Sequence, residues 1–209
     1  MNFSRAMVLA PHIDDGEFGC GGTIARLLAE GTEVYYVAFS AAEKSVPSGY
    51  PRDILRKEVK EACAVLGIPQ DHLLIRDFPV RDFPARRQEL LDELIRLRDA
   101  LQPQLVLLPS ANDVHQDHAT VAAEGLRTFK MRTILAYEMP WNNLTFTTTC
   151  FFPLEEEHIM SKVRALKAYR SQADRAYASE DFIRSLARTR GTQIGVSYAE
   201  AFEVVRWIV

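Results

Sequence analysis

The sequence predicts an α/β fold: one Rossmann-like domain over residues 1–209, with a mostly parallel sheet and helices on both faces. Two observations carry this. Strand-like and helix-like segments alternate through the first two thirds of the chain. The run Leu105 to Leu108 is also unbroken and apolar, the kind buried on both faces of a parallel sheet. The length of 209 residues suits one α/β domain and is tight for two.

The elements follow in order. Ala6 to Ala10 is a short apolar strand ended by Pro11. Gly21 to Glu30 reads as a helix, with Ile24, Leu27 and Leu28 on one face and Gly31 as its stop. Glu33 to Phe39, rich in Val and Tyr, is a second strand, and Ser40 to Arg52, with two prolines and a glycine, is a loop. Asp53 predicts the N-cap of a helix that runs through Leu66 and closes at Gly67. Leu73 to Ile75 is a third strand. Arg76 to Pro84 holds the near-repeat Arg-Asp-Phe-Pro-Val-Arg-Asp-Phe-Pro, whose prolines make it a loop. Ala85 to Leu101 is a long amphipathic helix ahead of the Leu105 to Leu108 strand. Then come a helix (His115 to Phe129), a strand (Thr133 to Met139), a β-leaning stretch (Leu144 to Phe152) and a helix (Glu155 to Tyr169). Glu200 to Val209 forms a last strand.

Composition narrows the function. Lys and Arg number 25 against 28 Asp and Glu, a net charge of −3, so no basic surplus exists to hold a nucleic-acid backbone. No apolar run reaches the roughly 18 residues of a membrane span. The apolar part of the N-terminus is too short for a signal peptide. The three cysteines are widely spaced and form no CxxC, which predicts reduced thiols and a cytoplasmic protein. In that compartment the Asn2-Phe-Ser4 and Asn143-Leu-Thr145 triplets are chance glycosylation patterns.

In a doubly wound sheet, ligands bind beyond the carboxyl ends of the strands, which points to two loops. The first reads Pro11-His12-Ile13-Asp14-Asp15-Gly16-Glu17-Phe18-Gly19-Cys20-Gly21-Gly22. A dinucleotide reading of its glycines fails. Ile24 stands where GxGxxG needs glycine, no acid ends the second strand, and Asp14 and Asp15 would repel phosphate. No Walker A sequence is present. The second loop reads Pro109-Ser110-Ala111-Asn112-Asp113-Val114-His115-Gln116-Asp117-His118. Three of the five histidines fall in these two loops, and the first and fourth strands can be neighbours at the switch point of such a sheet. His115 and His118 share a face on the first turn of a helix. Two imidazoles and a carboxylate with an open position make a catalytic zinc set, and equally the facial triad of iron oxygenases. The α/β pattern speaks against the second. The HxHxDH pattern of metallo-β-lactamases fits poorly, since Asp113 stands in place of its first histidine.

At these residues the chain resembles the LmbE-like, or PIG-L, family of zinc-dependent N-acetylglucosamine deacetylases. Its two motifs appear as Pro11-His12-Ile13-Asp14-Asp15 and His115-Gln116-Asp117-His118, with Ile13 where the family usually has proline. Gly19-Cys20-Gly21-Gly22-Thr23, Arg56-Lys57-Glu58, Lys167-Ala168-Tyr169 with Ser171-Gln172, and Tyr198-Ala199-Glu200-Ala201-Phe202 also look like the family. The resemblance implies zinc, with iron(II) as the alternative, held by His12, Asp15 and His118. It implies Asp14 as general base and His115 as the group that supports the oxyanion and protonates the leaving amine. Asp117 is then the partner that orients His115, and Arg56 is a candidate substrate-binding residue. The implied partner is a small N-acetylated sugar or sugar conjugate, with no nucleic acid and no membrane. Another metal-dependent amide or ester hydrolase, or a metal-binding protein without turnover, are the alternatives. Trp141, Phe146, Phe151 and Phe152 are read first as core and second as a contact in a homo-oligomer.

Overall fold

The computed structural model describes residues 3–208. Its strands are β1 (Arg5–His12), β2 (Glu33–Ser40), β3 (Leu73–Ile75), β4 (Leu105–Pro109), β5 (Thr133–Tyr137), β6 (Cys150–Leu154) and β7 (Tyr198–Arg206). They form one seven-stranded sheet in the order β3-β2-β1-β4-β5-β7-β6. The first five strands are parallel, and β7 runs antiparallel to both β5 and β6. The helices are α1 (Asp15–Ala29), α2 (Ile54–Leu66), α3 (Arg87–Leu101), α4 (Gln116–Phe129), α5 (Glu156–Lys167) and α6 (Glu180–Thr192). The Asn2 triplet and the Val209 end of the last strand lie outside the described residues.

Successive strand residues point to opposite faces, and the core divides accordingly. Ala6, Val8 and Ala10 of β1 pack with α1, α2, α5 and α6, while Met7 and Leu9 pack with α3 and α4. The central strands are buried along nearly their whole length, as their apolar runs predict. The α2 helix ends at Gly67, whose φ of 90° is left-handed and costs glycine nothing. Asp53 sits at its N-cap position, but its carboxylate pairs with Lys57 at 2.8 Å rather than capping the backbone.

Two differences from the sequence reading bear on function. The α6 helix is not assigned by periodicity, because Ile183, Ala187 and Gly191 alone are buried in its 13 residues. The α1 helix starts at Asp15 rather than Gly21, and is kinked at Cys20 (φ −148°, ψ 24°). The kink frees the N–H groups of Gly22 and Thr23. Glu200 on β7 accepts both, at 3.0 and 2.6 Å, and pairs with Lys162 of α5 at 2.6 Å. Phe18 O accepts from Lys162 Nζ at 2.6 Å on the other side of the kink.

The glycines of this turn serve close packing, not left-handed backbone. The positive-φ glycines of the chain are Gly31, Gly49, Gly67 and Gly195. A Cβ on Gly19 would enter the ring of Tyr137, which is fully buried and donates its hydroxyl to Leu9 O at 3.0 Å. Gly19→Ala should therefore destabilise the protein by about 1–3 kcal/mol, the usual range for overpacking a core. Urea unfolding measures it, and unchanged stability would mean that the ring yields freely.

Candidate metal centre

The parallel pairing of β1 with β4 sets the two loops side by side. His12 is the last residue of β1, and Asp15 opens α1 three residues later. His115 is the N-cap of α4, with His118 in its first turn. His12 Nδ1, His118 Nε2 and Asp15 Oδ2 form a nearly equilateral triangle: 3.2 Å between the two nitrogens and 3.1 Å from each to the oxygen. The His12 backbone N–H also donates to Asp15 Oδ2, at 2.7 Å. His115 lies beside them, its ring centroid 4.8 Å from those of His12 and His118. Ring nitrogens of the three histidines come within 4.8 Å of one another, a group able to hold a metal ion.

Each imidazole of the triangle is backed by a carboxylate. His12 Nε2 is 3.0 Å from Asp117 Oδ2, and His118 Nδ1 is 2.7 Å from Asp113 Oδ2. Such outer carboxylates fix ring orientation and raise the basicity of the inner nitrogen. Asp117 also accepts the backbone N–H groups of Arg81 (2.6 Å) and Phe83 (3.3 Å). The Arg81 amide is aimed there by a left-handed backbone at φ 69°. The second half of the near-repeat is thus a cradle for Asp117. Asp113 also accepts from His115 N at 2.8 Å, and the segment after β5 pairs with it through the Asp113–Asn143 bridge.

Charges in this cluster act on one another. Burial would lower His12 and His118, but the facing Asp15, together with Asp117 and Asp113, raises them to about 9 and about 10. Burial would raise Asp15, yet His118 and His12 hold it well below the usual carboxylate range. Asp14 is pushed up by burial and by Asp15, against the opposing pull of Arg175, whose Nη1 donates to Asp14 Oδ2 at 3.0 Å. His115 is lowered by burial and by its two histidine neighbours. Its Nδ1 accepts from Asp117 N at 3.2 Å, which leaves the ring proton on Nε2.

The triangle opens on a cavity of about 220 Å³ whose wall includes Asp14, His115, Trp141, Asn142, Arg175 and Tyr177. One sequence expectation is changed by this geometry. Asp117 supports His12, not His115, because the first turn of α4 carries its carboxylate toward the end of β1. Arg56 lines a neighbouring hollow that shares Ala42 and Val80 with this cavity. Glu43 takes its Nε at 2.9 Å and Asp77 takes its Nη2, contacts that tie the loop after β2 to the loop after β3. Sequence reasoning missed Asp113, Arg175 and Tyr177. A carboxylate two residues before His115 was a signal for the first; nothing in the sequence marked the others.

Beneath the first loop lies a second buried network. The hydroxyls of Tyr36 and Tyr169 approach Ile13 O at 2.9 and 2.8 Å, and both also meet the Glu17 carboxyl. Burial raises Glu17 to about 8 despite these hydrogen bonds. The network pins the backbone on which Asp14 and Asp15 stand. Trp141, Phe146, Phe151 and Phe152 are each half-buried. No described helix is long and apolar enough to cross a membrane.

Known proteins share this architecture. The chain matches the family model PIG-L, GlcNAc-PI de-N-acetylase, over residues 7–129 and belongs to that family. It is 26% identical over 224 residues to a diacetylchitobiose deacetylase of Thermococcus kodakarensis, covering 96% of this chain and 83% of that one. It is 27% identical over 232 residues to a 1D-myo-inositol 2-acetamido-2-deoxy-alpha-D-glucopyranoside deacetylase of Actinosynnema mirum, covering 80% of each. The crystal structure of a conserved protein of Thermus thermophilus superposes with a TM-score of 0.80 at 28% identity, covering 99% of this chain and 96% of that one.

The buried network gives a direct test. Tyr169→Phe leaves Ile13 O and Glu17 with one partner fewer, and should cost about 1–3 kcal/mol, the penalty of an unsatisfied buried polar group. Urea unfolding of the metal-free protein reads this, and a loss within error of zero would show the hydroxyl to be dispensable.

Proposed function

We propose that the protein is a metal-dependent deacetylase that removes the N-acetyl group from an N-acetylglucosamine-type sugar or sugar conjugate. The observation that carries the reading is the triangle of His12 Nδ1, Asp15 Oδ2 and His118 Nε2 beside a carboxylate outside it, Asp14. Family membership and the activities named for the two relatives support the substrate class. The donor set fits zinc, with iron(II) as the alternative. Ligands of a tetrahedral zinc at about 2.0–2.1 Å stand roughly 3.3 Å from one another, close to the 3.1–3.2 Å edges found here. The ligand set is read as His12, Asp15 and His118 rather than the three histidines. His115 Nδ1 is engaged by the backbone and its Nε2 carries the proton, whereas Asp15 is the group most strongly held as an anion.

When bound, such a cation supplies a water that ionises near neutral pH. The chain's own residues do the rest. Asp14 takes the water's proton as the oxygen bonds to the acetyl carbonyl carbon. His115 donates from Nε2 to the carbonyl oxygen as negative charge gathers there. The nitrogen must gain a proton as the C–N bond breaks. His115, neutral with Nδ1 already accepting, would become an anion if it gave its proton up. In this reading the proton returns from Asp14, releasing acetate and the free amine.

Two experiments separate the roles. Asp15→Asn should lose metal. Asp14→Asn should keep it and lose about 10²–10⁴-fold in kcat, with KM little changed. Metal content and steady-state kinetics on N-acetylglucosamine and its conjugates, compared side by side, decide it; the opposite pattern inverts the assignment. Asp113→Asn should weaken zinc affinity about 10–100-fold, the usual effect of removing a carboxylate behind a ligating histidine. Competition with a chromophoric chelator measures this, and unchanged affinity would take His118 out of the ligand set.

A further inference from the structure

Among the described residues lining the catalytic cavity, Arg175 is the sole Lys or Arg. It stands on the segment between α5 and α6, whose backbone is held on both sides. Ser171 donates its N–H and hydroxyl to buried Glu58 at 2.9 and 2.6 Å. Tyr177 stacks on Trp141, with ring centroids 4.0 Å apart and planes 11° from parallel. The Arg175 side chain itself is part-exposed. It is 36% exposed, with its guanidinium carbon 5.7 Å from the Tyr177 ring centroid, and among the described residues its one carboxylate partner is Asp14.

That pairing bears on the work assigned to Asp14, since Arg175 occupies one oxygen, Oδ2, of the carboxylate that must take a proton. An anionic acceptor competes with a carboxylate for a guanidinium far better than a neutral one does, because hydrogen bonds to charged groups are roughly twice as strong as neutral ones. A sugar hydroxyl is neutral, whereas a carboxylate or phosphate is anionic, and matches the planar fork with two parallel hydrogen bonds. We infer that Arg175 is a specificity-determining residue that leaves Asp14 to bind an anionic oxygen group, carboxylate or phosphate, carried by the amino-sugar substrate. The sugar part of this ligand rests on the deacetylase reading; the anion part does not.

The test is binding, so that it stands apart from turnover. Calorimetry would compare glucosamine with its 1-phosphate, its 6-phosphate and its 3-O-lactyl ether, on the metal-loaded wild type, Arg175→Met and Arg175→Lys. The wild type should bind at least one anionic sugar ten-fold or more tighter than glucosamine. Arg175→Met should abolish that preference, and Arg175→Lys, which keeps the charge without the fork, should restore part of it. Melting temperatures verify that the variants fold. A wild type with no preference for any anionic sugar overturns the inference. So does a preference that survives in Arg175→Met, or a loss equal for neutral and anionic sugars, which would leave Arg175 as a support for Asp14 alone. If the wild type prefers the anion yet hydrolyses no N-acetyl sugar, the deacetylase reading fails while the Arg175 inference stands.

Discussion

The parallel pairing of β1 with β4 is the constraint on which the site depends. Because β2 and β3 extend the sheet to one side of β1 while β4 and β5 extend it to the other, the chain leaves β1 and β4 in opposite directions and opens a crevice between them. The His12 and His118 nitrogens, 106 positions apart in sequence, meet across it at 3.2 Å. The register Ala6–Leu105, Met7–Val106 and Val8–Leu107 fixes how far each strand projects into the crevice. A slip of one residue would turn His12 from the site toward a core face.

Around that crevice the protein meets the cost of buried charge by pairing each group. Asp113 and Asp117 back the two imidazoles, Glu200 answers Lys162 and the freed N–H groups of kinked α1, and Glu58 takes Ser171. A buried ion without a partner costs several kcal/mol, so breaking any of these contacts would loosen a loop from the scaffold. They also explain why family-like stretches far apart in sequence matter together. Gly21-Gly22-Thr23 meets Glu200, and Glu58 meets Ser171, so each pair is one structural joint read in two places.

What was legible in the sequence follows the same physics. The bounds of β3, the span of α2 and the neighbouring of the first and fourth strands were readable, because apolar runs, a glycine stop and strand alternation record them locally. The start of α1 was not: its first turn is acidic and glycine-rich, and it is stabilised by Tyr36 and Glu200 from distant strands. The α6 helix hid because it buries so narrow a stripe. Residue types at two strand ends marked a cation site there, and the family resemblance implied His12, Asp15 and His118 as its members. The destination of Arg56 and the partner of Asp117 could not be anticipated, since which hollow a side chain enters depends on loops whose path the sequence does not spell out.

His12, Asp15 and His118 are proposed to hold one divalent cation, with His115 outside the ligand set. A crystal structure of the zinc-loaded protein, with anomalous data collected on both sides of the zinc edge, tests it most directly. A single strong anomalous peak is expected, within about 2.0–2.2 Å of His12 Nδ1, an Asp15 carboxylate oxygen and His118 Nε2. A peak bound by His115 in place of Asp15, or no peak between the two loops, would contradict it.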